Sequence, residues 1–136
     1  MTGTREEIIR RAFDGDPYAA AQGFSLEYVT EESVAVSMVV RDDHLNFYDV
    51  LHGGALFSIA DCAFSLASNA HGDMAVAIDT HLALTAPTRI GETLTATAIE
   101  ANRGRTLATY RVDVVKGDGR TVGLFTGTVF IRPSAG

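Results

Sequence analysis

The sequence has one cysteine, a deficit of positive charge and no uninterrupted apolar run of membrane-spanning length. The single Cys62 excludes an internal disulfide framework and any multi-cysteine metal site. With 11 basic against 17 acidic residues, the net charge of −6 disfavours nonspecific nucleic-acid binding, which needs a basic face. No signal-peptide pattern is present, and the only long apolar run is interrupted by Asp61 and several serines. We therefore expect a cytoplasmic protein without nucleic-acid or membrane partners.

The length and the apolar content fit one compact domain. The chain has 136 residues, of which 46% are hydrophobic, and it shows no internal repeat, low-complexity tract or linker. We expect a single domain over residues 1–136 that ends in a frayed tail at residues 134–136.

The residues before the first strand, 1–23, predict a helical flap. Thr4 followed by Glu7 is the pattern of a capping box, which starts a short amphipathic helix over residues 4–13. Pro17 then opens a second short helix that ends before a glycine, because proline suits the first helical position and glycine the position after the last. We expect this flap to pack on the rest of the domain.

Most of the remaining chain has the composition of β-strands separated by turns. β-branched residues are frequent, and clusters such as residues 116–119 mark the turns. No helix separates the last four strands, which favours antiparallel pairing. The sequence therefore predicts an α+β fold in which an antiparallel sheet of five or six strands curves around one long helix. The predicted strands cover residues 24–30, 34–40, 74–86, 92–102, 105–116 and 120–132.

The long helix, predicted over residues 52–71, is almost wholly apolar and carries a single carboxylate, Asp61. Burying an ionised carboxylate costs several kcal/mol unless partners satisfy it. The helical repeat places on the same stripe the hydroxyls of Ser58 and Ser65, which can hydrogen-bond to Asp61, but no cation. This arrangement favours a pocket that admits water or substrate over a buried ion pair. The full predicted stripe is Gly54, Ser58, Asp61, Ser65, Ser68 and Asn69.

The start of the same helix is a second candidate site. Gly53 and Gly54 place a backbone without side chains where first-turn N–H groups have no intrahelical partner. Such an end can hold a developing oxyanion. Gly53 lies about 12 Å from Asp61 along the helix axis, so one copy of the chain cannot easily bring both groups to one carbonyl. Two copies with antiparallel helices can do so.

Other residue types give weaker signals. Asn46 and His44 lie in a polar loop that leads into the helix, where site residues are common. Asn46 is the stronger candidate of the two. A backbone-bonding role is favoured over a catalytic one for His52, and a buried structural role is favoured for the Cys62 thiol. A metal site formed by the loop histidines and Asp49 is disfavoured, because the ligands lack the spacing of a tetrahedral site.

The segment HGGALFSIADCAFSLASNAHG, with Asn46 before it and GRTLATYRVDVV and VGLFTGTVF after it, resembles the hotdog-fold acyl-CoA thioesterases of the phenylacetate-degradation (PaaI-type) group. The similarity covers roughly residues 20–132. It implies hydrolysis of an aryl- or arylacetyl-CoA such as phenylacetyl-CoA, with no metal or redox cofactor. It also implies a dimer with composite active sites, and a homotetramer built from two dimers.

The resemblance assigns roles to individual residues. The Gly53 amide and Asn46 of one subunit would hold the thioester carbonyl or the attacking water. Asp61 of the other subunit would act as nucleophile or general base, with Ser65 positioning water or the carboxylate. Substrate contacts are expected from His52, Gly54, Phe47, Phe64, Arg103 and Arg105, the two arginines near the coenzyme A nucleotide.

One stretch departs from the family pattern. Leu84, Thr85 and Ala86 precede Pro87 where relatives commonly carry an aromatic residue and an arginine, which leaves Asp79 and His81 without an assigned role. Two other functions stay open at this point. One is a non-catalytic acyl-CoA binding module, and the other is a thioester hydratase on the same fold, which would pair a histidine with a carboxylate.

Overall fold

The computed structural model describes residues 3–133, so the predicted frayed tail at 134–136 lies outside the described residues. This range forms three α-helices and six strands. No helix in it is both long and apolar enough to cross a membrane. The elements are α1 (Arg5–Asp14), α2 (Pro17–Gln22), β1 (Ser25–Val29), β2 (Ser33–Val39), α3 (Gly53–Ser68), β3 (Met74–Leu84), β4 (Thr93–Arg103), β5 (Leu107–Lys116) and β6 (Thr121–Arg132).

The six strands form one antiparallel sheet in the order β1-β2-β4-β5-β6-β3. The predicted hotdog architecture is thereby confirmed, with six strands rather than five. β3 comes directly after α3 in the chain but pairs with the last strand, β6, and so forms one edge of the sheet. The edge position of β3 leaves one row of its backbone groups without a neighbouring strand.

Helix α3 packs against one face of the sheet, and the packing explains its composition. Ile59, Ala60, Ala63 and Phe64 are fully buried. The Phe64 ring lies against β6, where a Cβ at Gly127 would come within 2.7 Å of the ring. Glycine is therefore required at that position, because any side chain would displace the helix or the strand. Burying one such aromatic side chain contributes about 1.5–3 kcal/mol.

The end of α3 differs from the predicted boundary at residue 71. The helix ends at Ser68, and the side chain of Asn69 then donates to the Ala75 carbonyl at 3.2 Å and accepts from its N–H at 3.0 Å. Ser68 is only 2% exposed. The polar stripe predicted along the helix is therefore shorter than expected. Ser68 is buried and donates to the Ser65 carbonyl at 3.3 Å, and Asn69 fastens the helix end to β3.

The N-terminal flap matches its prediction. Thr4 and Glu7 form the capping box of α1. Helix α2 begins at Pro17 and ends at Gln22, before Gly23, whose φ of 77° lies in the left-handed region that glycine tolerates. Ile9 and Ala19 anchor the flap in the core, with 0% and 1% exposure. The flap is thus a fixed part of the domain and covers one side of α3.

Candidate active site

The first turn of α3 has a free backbone donor. His52 caps the helix: its Nδ1 accepts from the Gly54 N–H at 2.8 Å, and its carbonyl accepts from Ala55 and Leu56. The Gly53 N–H has no hydrogen-bond partner within the described residues. The predicted backbone-bonding role of His52 is therefore confirmed, and the donor available to a ligand is that of Gly53. The Gly54 N–H, for which the resemblance implies a substrate contact, already donates to His52 Nδ1.

The free Gly53 donor opens on a cavity of about 370 Å³ that Asn46 also lines. Asn46 Oδ1 accepts from the Tyr48 N–H at 2.8 Å and, more weakly, from the Val50 N–H at 3.4 Å, so its carbonyl end holds the loop together. The amide nitrogen of Asn46 donates to no group in residues 3–133. Asn46 can therefore present a donor to the cavity that Gly53 also lines, which is the placement that its implied role requires. The other lining residues are Val50, Leu51, Leu56, Leu84, Thr85, Ala86, Pro87 and Thr88.

Thr88 is a third residue with an unsatisfied polar group beside this cavity, after Gly53 and Asn46. Its side chain is 1% exposed, and its Oγ1 is the buried side-chain atom that lacks a hydrogen-bond partner in the described part of the chain. Buried hydroxyls without partners are uncommon in folded proteins. Sequence reasoning missed Thr88, because nothing in the residue order shows that its hydroxyl is left unpaired.

Asp61 lies in a separate cavity of about 230 Å³ under the flap. Its carboxylate makes no hydrogen bond or ion pair with any residue in the described range. The hydrogen bond that Ser58 could make to Asp61 is not formed, because the Ser58 hydroxyl donates to the Gly54 carbonyl at 2.8 Å and bonds to the Tyr18 hydroxyl at 2.9 Å. Ser65 lines the same cavity. The other lining residues are Asp16, Tyr18, Ala19, Phe24, Phe57, Ser58 and Cys62.

The surroundings of Asp61 make its carboxylate harder to ionise. Burial raises the pKa of Asp61, and the nearby charge of Asp16 raises it further. Burial, followed by the charges of Asp16 and Asp61, raises the pKa of the Cys62 thiol to about 12. Cys62 therefore stays protonated and serves as a packing residue, in agreement with its predicted structural role. Asp61 is left as the available base in this cavity.

Several residues predicted to contact substrate lie elsewhere. Phe64 is fully buried against Tyr110 and Phe125, so the structure does not support a substrate contact for it, because its ring fills the core. The aromatic residue that does line the Asp61 cavity is Phe57. Phe47 is the opposite case, since it projects into solvent with 87% exposure.

The two arginines lie beyond the C-terminal end of α3, away from both cavities. Arg103 donates to Glu100 and to the Tyr110 hydroxyl, both at 3.4 Å, so its charge is compensated within the chain. Arg105 is exposed and forms no ion pair in the described range. Of the two, Arg105 is the one free to meet an anionic ligand.

One protomer does not bring the two halves of the predicted site together. The Gly53 cavity and the Asp61 cavity have no lining residue in common. The groups also stand eight residues apart on one helix, about 12 Å at the usual rise per residue. The described chain further contains no group of three or more histidine, cysteine or acidic side chains that could hold a metal ion. His44 uses both ring nitrogens on backbone groups of Arg41 and Gln22.

The comparison with known families decides the class of protein. The thioesterase superfamily matches over residues 48–123, which include the whole of α3 and therefore the α3 residues that line each cavity. The chain belongs to the thioesterase superfamily. The predicted enzyme class, a thioesterase, is thereby confirmed.

Relatives in sequence and structure agree with this assignment. A putative esterase of Archaeoglobus fulgidus is 44% identical over 95 residues, covering 70% of this chain and 62% of that protein. The acyl-coenzyme A thioesterase PaaI of Escherichia coli is 36% identical over 85% of this chain and 82% of its own length. The structure of E. coli PaaI has a TM-score of 0.92, covering 96% of this chain and 95% of that one. A Streptococcus pneumoniae thioesterase structure containing coenzyme A is 25% identical, with a TM-score of 0.84 over 93% and 98% of the two chains.

Proposed function

We propose that this thioesterase hydrolyses aryl- or arylacetyl-CoA thioesters such as phenylacetyl-CoA, at sites that each combine two subunits. The observation that carries the proposal is a pair of unsatisfied groups on one helix, the Gly53 N–H and the Asp61 carboxylate. Each faces its own cavity, and neither has a partner in the described residues. A second copy with its helix antiparallel supplies to each cavity the group that it lacks.

The exposed edge strand supports the pairing of two copies. β3 presents 11 residues along a sheet edge and includes several apolar side chains in solvent. A long apolar edge of this kind invites pairing with another strand. Two β3 strands pairing antiparallel would continue the sheet and bring the two α3 helices side by side. The exposed apolar residues of β3 are Met74 (58%), Val76 (47%), Ile78 (60%) and Leu84 (59%).

A second apolar surface supports a dimer of dimers. Val76, Phe130 and Leu107 are direct cross-strand neighbours on the sheet face opposite α3, and they are 47%, 43% and 48% exposed. Contiguous apolar surface on a folded protein commonly marks an interface. The homotetramer and the cytoplasmic location both remain predictions.

The chemistry assigned to the composite site is thioester hydrolysis. The thioester carbonyl oxygen accepts from the Gly53 N–H, with the Asn46 amide beside it, and the helix start stabilises the oxyanion. The Asp61 carboxylate of the other subunit either attacks the carbonyl carbon or takes a proton from the attacking water, whose oxygen then forms the new bond. In both routes the C–S bond breaks as the oxyanion collapses, and coenzyme A leaves as the thiolate. In the general-base route the thiolate receives the proton that Asp61 took from water. In the nucleophilic route an acyl-aspartyl anhydride forms; water then bonds to the acyl carbon, the bond to the Asp61 oxygen breaks, and the proton released from water goes to the thiolate. Ser65, in the same cavity, positions water or the carboxylate.

The lining of the Asp61 cavity supports an aromatic acyl group. Phe24, Phe57 and Ala19 give it an apolar wall, and its volume of about 230 Å³ exceeds the roughly 150 Å³ cavity that is known to bind benzene. The exposed Phe47 and Tyr48 rings, with centroids 4.4 Å apart, form a loop that a second subunit would cover. Arg105 remains available for the nucleotide of coenzyme A.

The substrate is tested by free-thiol release from phenylacetyl-CoA, 4-hydroxybenzoyl-CoA and a short aliphatic acyl-CoA. We expect the highest kcat/KM with an aryl substrate and loss of most activity in a folded Asp61→Ala variant that still binds the substrate. Binding of acyl-CoA by the wild type without release of thiol from any substrate would instead support a non-catalytic binding module. Reversible change in acyl-chain unsaturation would support a hydratase.

The shared site is tested by mixing two inactive variants. Gly53→Pro lacks the donor and Asp61→Ala lacks the carboxylate, so each homodimer has two defective sites. A mixed dimer has one site with both defects and one intact site. Co-expression in equal amounts should therefore restore about one quarter of wild-type activity, from half of the dimers with half of their sites intact. Activity that stays at the level of the separate variants would show that each subunit uses its own Gly53 and Asp61.

A further inference from the structure

Tyr18, in the flap, stands between two cavities on the polar side of α3. The first is the cavity of about 230 Å³ that holds Asp61, and the second, of about 460 Å³, is bordered by His52 and Gly54. Tyr18 and Ser58 line both cavities, and their hydroxyl oxygens lie 2.9 Å apart. The two side chains, joined by this hydrogen bond, therefore form the partition between the two spaces, and the Tyr18 ring supplies most of its bulk.

The direction of this hydrogen bond follows from the hydrogens available. Ser58 has one hydroxyl hydrogen, and it is donated to the Gly54 carbonyl at 2.8 Å. The Tyr18 hydroxyl must then be the donor to Ser58 Oγ. Removing the Tyr18 hydroxyl would therefore weaken the partition while leaving the hydrogen of Ser58 bonded within α3.

The backbone around Tyr18 is held independently of its side chain. Asp16 caps α2 by accepting from the N–H groups of Tyr18 at 3.0 Å and Ala19 at 3.1 Å. Arg41 donates to the Ala21 carbonyl at 3.0 Å and ties the end of α2 to the loop before α3. The Tyr18 ring is thus placed by the fold, and substitutions that keep the ring should keep most of the partition.

The two cavities differ in chemistry. Phe24 and Phe57 give the Asp61 cavity an apolar wall that suits one aromatic ring, whereas Gln22, Asp43 and His44 make the second cavity polar. An acyl group longer than a single ring with a short linker would have to pass Tyr18 to reach the second space. The side chain of Tyr18 stands at the point where acyl length would be limited.

We propose that Tyr18 is a specificity-determining residue that closes the acyl cavity and restricts the enzyme to short or single-ring acyl groups. This inference rests on the proposed function, because it takes the acyl group to lie beside Asp61. Tyr18 acts by bulk and through its hydrogen bond to Ser58, so its removal merges the two cavities. The merged space admits acyl groups that the wild type excludes.

The test compares phenylacetyl-CoA with 4-phenylbutanoyl-CoA, which is two methylenes longer. Tyr18→Ala should raise the ratio of kcat/KM for the longer to the shorter substrate by about tenfold or more, since one methylene in an apolar pocket changes discrimination by roughly 10- to 200-fold. Tyr18→Phe keeps the ring and should give a ratio close to the wild type. Tyr28→Ala is the matched control, because Tyr28 has a similar exposure, 44% against 55%, lies on β1 and lines neither cavity.

The outcomes separate this inference from the proposed function. An equal fall in kcat/KM for both substrates in Tyr18→Ala, with the ratio unchanged, would overturn the inference and leave Tyr18 a structural residue. If the wild type releases no thiol from any acyl-CoA, the proposed function fails instead. In that case calorimetry should measure the affinities of wild type and Tyr18→Ala for the thioether analogues of the two substrates. If the ratio of the two affinities is the same in both proteins, the inference is overturned. Tyr18→Leu replaces Tyr18→Ala if the alanine variant does not fold.

Discussion

Two carboxylates near α3, Asp61 and Glu100, are both partly withdrawn from solvent but have opposite surroundings. Glu100, on β4, accepts from the Tyr110 hydroxyl at 2.6 Å, and His71 and Arg103 lie 3.3 and 3.4 Å away. Asp61 has no partner in the described part of the chain, and the charge that acts on it, that of Asp16, is of the same sign. The difference separates two kinds of partly buried carboxylate, one satisfied by its neighbours and one left without a partner in the described residues. The role proposed for Asp61 rests on the second property, and the predictions below test it.

The pKa values of the two groups move in opposite directions. Burial alone would raise the pKa of Glu100, but the Tyr110 hydrogen bond and the charges of His71 and Arg103 outweigh it and lower the pKa. Glu100 therefore adds stability above its ordinary value of 4.5, and this contribution is lost as pH falls through the lowered folded value. Asp61, whose pKa is raised, favours the fold below its ordinary 3.8 and loses that contribution as pH rises through its folded value. At neutral pH, Glu100 supports the fold and Asp61 opposes it.

The largest expected effect comes from neutralising Asp61. Asp61→Asn should reduce kcat by about 10²- to 10⁴-fold, the usual contribution of a catalytic acid or base. The same change should leave the melting temperature at pH 7 equal or higher, because it removes an uncompensated charge. Thiol release and thermal unfolding measure the two effects. A variant that keeps its activity, or that loses stability, would place Asp61 in the same class as Glu100.

Removing the free donor at the helix start should have the next largest effect. Gly53 is the first helical residue, where proline is tolerated, and His52 has the extended conformation, φ −64° and ψ 136°, that a following proline requires. Gly53→Pro should fold and lose about 10²- to 10³-fold in kcat, as for other oxyanion donors. Gly53→Ala is the matched control, because it keeps the N–H and brings a Cβ 3.3 Å from the flexible tip of Leu84. Equal losses in both variants would indicate a steric effect rather than a lost donor.

Neutralising Glu100 should have effects opposite to those of neutralising Asp61: a loss of stability with little change in activity. Glu100→Gln should lower the free energy of unfolding by about 1–2 kcal/mol at pH 7, towards the lower end because the side chain is 34% exposed. It should leave kcat/KM within about twofold of the wild type, since the cluster lies away from both cavities. Denaturant unfolding and thiol release measure the two quantities. A large loss of activity without a loss of stability would indicate that Glu100 takes part in the active site, and Glu100 and Asp61 would then no longer differ in role.

The same contrast explains how much of the molecule could be predicted from sequence. β-Branched runs between turn residues, the capping box at Thr4 and the apolar helix are local patterns, and they predicted a sheet of five or six strands, the flap and the central helix. The family was predicted from the resemblance of the helix segment and its flanking runs. Asp61 and Gly53 were found because each breaks a local pattern, one as a charge in an apolar helix and the other as a helix start without side chains.

The residues that sequence reasoning misplaced or missed depend on contacts between distant segments. Phe64 and Phe57 are both apolar residues of one helix, and only the sheet decides which faces the core. Tyr18 and Asp16 enter the Asp61 cavity from a flap about 40 residues earlier in the chain, and no periodic pattern connects them with Asp61. Side-chain pairing likewise distinguishes the two arginines, because Arg103 is paired with Glu100 and Arg105 forms no ion pair in the described residues.

The smallest expected effect is a shift of the pH profile when the negative charge beside Asp61 is removed. Asp16→Asn keeps the cap of α2, because asparagine is as good an N-cap as aspartate, and it removes one cause of the raised pKa of Asp61. Activity needs ionised Asp61 whether it acts as nucleophile or base, so the acidic limb of kcat/KM should move to lower pH, and less so at high salt. Asp14→Asn is the control, since it removes an equal charge from the flap outside the cavity. An equal shift in both variants would indicate a general charge effect, and no shift in either would mean that another group titrates in the acidic limb.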